Sequence, residues 1–128
     1  MTRTIISTDK SPAAIGPYSQ AVQVGNLVFT SGQIPLVPES MELVGQDIQA
    51  QTKQCMENLK AILEQAGTSL DNCIKLTLFI KDMDQFGAIN EVYGSYFGDN
   101  PPARSCVEVA RLPKDVNIEI EAIALIKQ

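Results

Sequence analysis

The chain has 128 residues, enough for one domain with a single core, and we predict one domain over residues 1–128. Its formal net charge of −5 comes from 15 acidic against 10 basic residues. Because phosphate binding needs clustered lysine or arginine, and no basic run is present, we expect no nucleic-acid partner.

The distribution of apolar residues and cysteines predicts a cytoplasmic protein. No stretch approaches the roughly 18 apolar residues of a membrane span, and the first seven residues lack the apolar core of a signal peptide. The cysteines Cys55, Cys73 and Cys106 are odd in number and widely spaced, unlike a disulfide framework.

The absence of histidine narrows the chemistry. It excludes Ser-His-Asp and Cys-His nucleophile systems and the usual zinc sites. The sequence also has no CxxC motif and no glycine-rich nucleotide loop. Any catalysis must therefore use carboxylates, arginine, hydroxyls, thiols, backbone groups and water.

The first half of the chain predicts two short strands and a long helix. The strands lie between Val22 and Gln33 and are broken at Gly25-Asn26. Asp47 can cap the start of the helix, and Gly67 suits the left-handed residue after its end. Residues spaced by three and four form one stripe of this helix: Ile48, Thr52, Cys55, Leu59, Ile62, Leu63 and Ala66.

The second half predicts a strand, a helix and two further strands. Residues 74–80 form the first strand, and Asp82 with Gln85 forms a capping-box pattern for the helix. Asn90 lies on the flank of that helix's inner stripe. The stripe itself is Phe86, Ile89, Tyr93 and Phe97.

The last two strands, 104–110 and 118–126, complete the order ββαβαββ, an α+β fold with two helices on one face of a mixed sheet. Strand 118–126 is apolar on both faces near its end, which favours a central position. On the sheet face without helices, apolar residues need cover that one subunit cannot easily supply, which predicts an oligomer. These residues are Val107, Val109, Ile123 and Leu125.

Arg104 is the first candidate for chemistry. It follows the stiff segment Pro101-Pro102 and shares a strand face with Cys106 and Glu108. A guanidinium binds a carboxylate through two parallel hydrogen bonds, although spacing alone also fits a solvated surface arginine. Cys106 fits a small packing residue better than a nucleophile, because only Arg104 would lower its pKa.

Two carboxylates and a group of hydroxyls are weaker candidates. Glu119 and Glu121 point to one face of an otherwise apolar strand, where they are either exposed or held for function. Tyr18 and the strand end Ser31-Gly32 offer hydroxyl and backbone groups, but such residues are also ordinary in turns.

Four segments in order, spanning essentially the whole chain, resemble the signature blocks of the RidA (YjgF) family of reactive-intermediate deaminases. They are residues 12–20 (PAAIGPYSQ), 30–35 (TSGQIP), 102–113 (PARSCVEVARLP) and 118–124 (IEIEAIA). The segment Gly98-Asp99-Asn100-Pro101 is shorter than in some members, so the rim of the pocket can differ.

The resemblance implies a chorismate-mutase-like fold and a homotrimer with three sites between subunits. It implies hydrolysis of 2-imino acids to 2-keto acids and ammonia, without metal or organic cofactor. Carried over by position, Arg104 binds the substrate carboxylate and Glu119 holds the water, while Glu121 stays structural. The pocket wall is Tyr18, Ser31, Gly32, Asn90 and Cys106.

Two other functions remain open at this stage. One is a regulatory protein that binds 2-keto acids without turnover, which would need Arg104 but not Glu119. The other is an RNA-cleaving translation inhibitor, which the acidic charge and missing histidines disfavour. If strands 104–110 and 118–126 form a hairpin turning near Pro113-Lys114, Glu119 lies roughly 13 Å from Arg104 at 3.3 Å per residue. If strand 118–126 instead lies centrally and apart from 104–110, the two residues are also separated within one chain. We therefore expect each site to take Arg104 and Cys106 from one subunit and Ser31, Gly32 and Glu119 from its neighbour.

Overall fold

Six strands and two α-helices follow one another in the computed structural model of the protein, which describes residues 2–127. In chain order they are β1 (Arg3–Ile6), β2 (Ala21–Val24), β3 (Leu27–Thr30), α1 (Ile48–Gln65), β4 (Cys73–Ile80), α2 (Phe86–Gly94), β5 (Ala103–Glu108) and β6 (Ile118–Leu125). The predicted α+β class is confirmed.

The strands form one mixed sheet in the order β1-β2-β3-β6-β4-β5. Only β4 and β5 pair in parallel, and every other pairing is antiparallel. The last strand of the chain, β6, therefore lies between β3 and β4, which confirms its predicted central position. Strand β5 forms one edge of the sheet and is separated from β6 by β4.

Both helices pack on the same face of the sheet and bury its core. Leu59 and Ile62 of α1 and Leu78 of β4 are fully buried, as are Ile118 and Ile120 of β6. Burial of each such side chain stabilises the fold by roughly 1.5–3 kcal/mol relative to exposure. The helical stripe predicted from residue spacing is thus the buried face of α1.

Helix α1 begins and ends as its sequence predicts. The Asp47 carboxylate accepts a hydrogen bond from the backbone N–H of Ala50 at 2.8 Å. Gly67 has a φ of +90°, a conformation that residues with a side chain rarely adopt.

The predicted capping box at the start of α2 is wrong in part. Asp82 does cap, but it accepts from the N–H of Asp84, and the Gln85 side chain makes no capping bond. The first turn, Met83–Gln85, is a 3-10 helix. The Glu108 carboxylate of β5 accepts a hydrogen bond from the Met83 N–H at 2.8 Å. A strand distant in sequence thus satisfies a backbone donor at this helix start, which local sequence patterns do not predict.

Strand β1 was not predicted. It has only four residues, and three of them are exposed. It therefore lacks the alternation of buried and exposed positions by which a strand is predicted. It exists because it pairs with β2, with Ile6 opposite Ala21.

The face of the sheet opposite the helices, here called the open face, carries exposed apolar side chains. Ile5, Phe29 and Val107 project from it and are 52%, 38% and 44% exposed. Ile123 and Leu125 are half-buried there. A patch of this kind is typical of a surface that another chain covers.

Among the described residues, no helix is long and apolar enough to cross a membrane.

Candidate active site

The seven residues predicted to form the site lie in two groups on opposite faces of the sheet. We call Asn90, Arg104 and Cys106 the Arg104 cluster. We call Tyr18, Ser31, Gly32 and Glu119 the Glu119 cluster.

Arg104 lies on β5 beneath helix α2. It pairs in register with Leu76, which is fully buried, so its side chain projects from the helix-covered face. The guanidinium donates a hydrogen bond of 2.6 Å to the side-chain oxygen of Asn90. Its central carbon lies 5.1 Å from the ring centre of Phe86 and 5.0 Å from that of Tyr93.

Among residues 2–127, no acidic group pairs with the charge of Arg104. The one ion pair among residues 2–127 joins Arg111 to Asp115 on the surface. Arg104 is half-buried, and its contacts are an amide oxygen and two aromatic rings, all of them neutral. A partly desolvated cation without a counter-ion binds an anion strongly, and a carboxylate fits the remaining donors of the guanidinium.

Cys106 lies two residues further along the same face of β5. Burial raises the pKa of its thiol, and the nearby Arg104 cation only partly offsets that effect. The thiol is therefore protonated at neutral pH, which makes it a weak nucleophile. The structure thus favours packing over covalent catalysis for Cys106.

The Glu119 cluster is built by an irregular junction between β3 and β6. Phe29 pairs with Ile123, and Gln33 pairs with Ile120 in an isolated bridge. The chain therefore advances four residues from Phe29 to Gln33, whereas β6 advances only three between the two partners. The extra residue makes a bulge that brings Ser31-Gly32 against Glu119. A Cβ added at Gly32 would lie 2.8 Å from both Cδ and Oε2 of Glu119, so only glycine permits this contact.

Glu119 projects from the open face of β6 and is half-buried. Burial raises the pKa of its carboxyl group, and the neighbouring Glu121 raises it further. Within residues 2–127 the carboxylate accepts no hydrogen bond, and the N–H of Gly32 beside it makes none. Both groups are free to bind a ligand or water.

An open depression of about 440 Å³ surrounds Glu119. Tyr18, Ser31 and Gly32 line it together with the apolar side chains of Ile15 and Ile34. Ser31 is fixed by its own hydrogen bonds, since its hydroxyl donates to the Ser19 carbonyl at 2.6 Å and its N–H donates to the Gln20 carbonyl at 2.9 Å.

The loop that carries Tyr18 is held by a buried glutamine. The Gln20 side chain accepts from the Thr8 N–H at 2.7 Å and donates to the carbonyl of Pro12 at 2.8 Å. Tyr18 itself is 49% exposed, at the rim of the depression. Its hydroxyl accepts a hydrogen bond from the N–H of Ile15 at 3.4 Å.

Some residues at the two clusters were not predicted. Lys114 lines the depression, and both it and Asp115 have a positive φ, of 57° and 54°. The sequence predicts only a turn near Pro113-Lys114. Residue spacing predicts a packing role for Phe86 and Tyr93. Their contact with Arg104 is signalled in the sequence only by their position four residues before and three residues after Asn90.

The two clusters of one chain cannot contact the same small molecule. Leu76 of β4 pairs with Arg104, whereas Phe79 pairs with Glu119. These β4 positions differ by an odd number of residues, so the two side chains point to opposite faces. Their backbones are also roughly 14 Å apart, from three steps along the strands and two strand spacings across them.

The family model described as "Endoribonuclease L-PSP" matches residues 8–126. The 2-iminobutanoate/2-iminopropanoate deaminase of Escherichia coli K12 is 52% identical over 128 residues, covering 98% of each chain. This chain belongs to the RidA family.

Two solved structures extend the match to the fold. The E. coli TdcF protein, solved with bound serine, is 51% identical with a TM-score of 0.93, over 97% of this chain and 99% of that one. A Rid-family protein of Yersinia pestis, YyfA, is 44% identical with a TM-score of 0.95, over 98% of this chain and all of that one. The resemblance drawn from four sequence segments is confirmed, as is the RidA-type fold.

The raised pKa of Glu119 makes a prediction for stability. The folded protein binds a proton at Glu119 more tightly than the unfolded chain, so this group's contribution to stability is present at low pH and lost as pH rises through the raised pKa. We expect Glu119→Gln to raise the melting temperature at neutral pH, by an amount that solvent screening of this half-exposed group keeps small. The gain should vanish below about pH 4.

Differential scanning calorimetry from acidic to neutral pH measures this effect. Glu42→Gln is the matched control, because Glu42 is exposed in a loop away from the site. A Glu119→Gln protein less stable than the wild type at neutral pH would contradict the prediction.

Proposed function

We propose that this protein is a cytoplasmic homotrimeric enzyme that hydrolyses reactive 2-imino acids to 2-keto acids and ammonia. The substrates are the imine and enamine forms of 2-aminoacrylate and 2-aminocrotonate, that is, 2-iminopropanoate and 2-iminobutanoate. The observation that carries the proposal is Arg104, a half-buried cation whose partners among the described residues are all neutral.

The relatives support this choice of substrate. The E. coli K12 protein that is 52% identical is a 2-iminobutanoate/2-iminopropanoate deaminase by name. The related TdcF structure contains serine, a three-carbon molecule with a carboxylate beside a nitrogen-bearing carbon. A 2-imino acid of three or four carbons has the same two groups in the same relation.

Arg104 binds and orients the substrate. Its free N–H donors take the carboxylate in a two-pronged hydrogen bond, which fixes the position of the adjacent C2. Holding C2 where water can reach it removes much of the entropic cost of a bimolecular reaction.

Glu119 acts on the water and on the iminium. As an anion it favours the protonated C=N group, and its carboxylate accepts a proton as water adds to C2. The protonated Glu119 then gives that proton to the nitrogen of the resulting carbinolamine. As ammonia leaves, the hydroxyl oxygen becomes the keto oxygen, and its proton passes to the Glu119 carboxylate and from there to ammonia, which leaves as ammonium. At about 5 Å and an effective dielectric of about 20, one such charge contact is worth about 3 kcal/mol, or roughly a hundredfold in rate.

A neighbouring subunit completes each site in this proposal. Arg104 and Glu119 of one chain point to opposite faces of the sheet, so a shared substrate needs Arg104 and Cys106 from one subunit and Ser31, Gly32 and Glu119 from the next. The exposed apolar residues of the open face supply a surface for such an assembly.

The two alternatives are less well supported. A protein that only binds keto acids has no use for an unpaired, half-buried carboxylate, whose charge costs stability. The family model is described as an endoribonuclease, but this chain has a net charge of −5 and no histidine. Within the described residues, the depression at Glu119 contains a single cation, Lys114, which is too few for a polyanion.

A coupled assay tests the activity directly. A threonine dehydratase generates 2-iminobutanoate, and semicarbazide traps whatever imine remains free. We expect the purified protein to raise the rate of keto acid formation and to lower the yield of trapped imine. An unchanged yield at equimolar protein would contradict the proposal, and saturable binding of keto acid without turnover would favour the binding protein.

Replacing Arg104 should remove the activity without unfolding the protein. We expect Arg104→Ala and Arg104→Lys to lower kcat/KM roughly a hundredfold or more, since an ammonium lacks the planar fork of the guanidinium. Arg3→Lys, at an exposed arginine of β1, is the control and should retain activity. Near-normal turnover by either Arg104 variant would refute the assignment.

Gly32→Ala should displace the Glu119 carboxylate while leaving the backbone undisturbed. The new Cβ would overlap the Glu119 side chain at 2.8 Å, and a displacement of about 1 Å lowers kcat by about ten- to a hundredfold. In the control Gly94→Ala, the added Cβ meets no atom within 4 Å, so kcat should stay near that of the wild type. Steady-state kinetics measure both, and equal kcat values in the two variants would contradict the predicted role of Gly32.

Mixing two inactive variants tests the shared site. Arg104→Ala and Glu119→Ala subunits, exchanged under mild denaturant and reassembled, should regain part of the activity, because some interfaces then combine an intact Arg104 with an intact Glu119. Native mass spectrometry verifies that mixed trimers form. Mixed trimers without any recovered activity would show that one chain supplies the whole site.

A further inference from the structure

Helix α2 presents three neutral groups to a single cation. Phe86, Asn90 and Tyr93 are spaced by four and three residues, so they lie on one face of the helix. The two ring centres lie 5.1 Å and 5.0 Å from the central guanidinium carbon of Arg104, and Asn90 accepts its hydrogen bond between them. We call Phe86 and Tyr93 the aromatic cradle.

The cradle stabilises the cation without neutralising it. A carboxylate in its place would occupy the N–H donors and compete with a ligand anion. An aromatic ring instead attracts the cation through the negative potential of its face, at no cost to those donors. The Asn90 oxygen takes one donor group, so the rest of the fork keeps its hydrogen bonds for another acceptor.

The Tyr93 hydroxyl plays no visible part in this arrangement. It is buried and has no hydrogen-bond partner among residues 2–127. A buried hydroxyl without a partner destabilises a protein, so packing alone gives no reason for tyrosine at this position. The ring itself contacts Arg104 and also the Phe97 ring, with 5.0 Å between the two ring centres.

We propose that Phe86 and Tyr93 are positioning residues, which hold the Arg104 guanidinium in the orientation that receives the substrate carboxylate. This inference rests on the proposed function, because it assumes that Arg104 binds a carboxylate. Because the cradle acts only through Arg104, it should strengthen the binding of negatively charged ligands and leave the binding of neutral ligands unchanged.

The test compares a charged ligand with its neutral counterpart. The ligands are 2-oxobutanoate, the keto acid product, and 2-oxobutanamide, which has the same carbon chain without the charge. We expect Phe86→Leu and Tyr93→Leu each to lower the preference for acid over amide, taken as the ratio of the two Kd values from calorimetry, by about fivefold. Methionine at the same positions keeps more of the side-chain volume and serves if a leucine variant does not fold.

Two controls separate positioning from packing. Tyr93→Phe keeps the ring and should keep the acid preference. Phe97→Leu removes a ring that packs on Tyr93 but does not contact Arg104, so it should lower the melting temperature while the acid preference stays.

The results distinguish failure of this inference from failure of the proposed function. An unchanged acid preference in the folded Phe86 and Tyr93 variants would overturn the inference, as would an equal loss in Phe97→Leu. A wild-type protein that binds acid and amide equally would contradict the proposed role of Arg104 and the cradle with it.

Discussion

The alternation of side chains along β6 is the constraint on which both the core and the site depend. Ile118 and Ile120 point toward the helices and are fully buried, and Glu119 between them must therefore point to the open face. A one-residue shift in register would bury the carboxylate beneath α1 and expose the isoleucines. The same pairing that buries the core thus fixes the catalytic carboxylate of the proposed mechanism, and the bulge before Gln33 then brings Gly32 against it.

Neither charged group of the proposed site forms an ion pair among residues 2–127. Arg104 is half-buried and has no acidic partner in the described part of the chain, and Glu119 is half-buried beside Glu121. The positive charge of Arg104 and the negative charge of Glu119 are therefore both available to a ligand of opposite charge. The surface pair Arg111–Asp115 shows the contrast, since its two charges satisfy each other and offer nothing to a ligand. Unpaired charge on partly buried side chains is a physical mark of a binding site.

The sequence predicts those features that depend on local or periodic patterns. The stripe and caps of α1 and the central place of β6 follow from residue spacing, capping chemistry and apolar content. Features that depend on distant partners were not accessible in this way. Strand β1 forms through its pairing with β2. Near the start of α2, the Met83 N–H is bound by Glu108, from a strand more than twenty residues later in the chain. The spacing of Phe86 and Tyr93 is the same whether the two rings pack against aliphatic side chains or against a guanidinium, so periodicity alone does not predict the cradle.

The placement of Arg104 and Glu119 on opposite faces of the sheet also explains why these two opposite charges do not form a salt bridge with each other within one chain. Had they shared one face of adjacent strands, they would attract each other, form a salt bridge and bind no substrate. The sheet prevents that pairing within a chain, because their side chains emerge on opposite faces. In the proposed trimer they meet only across an interface, where a 2-imino acid brings a carboxylate to the arginine and an iminium toward the glutamate. The substrate then supplies the counter-charge that each group lacks, so its binding and its orientation for attack by water come from the same electrostatic requirement.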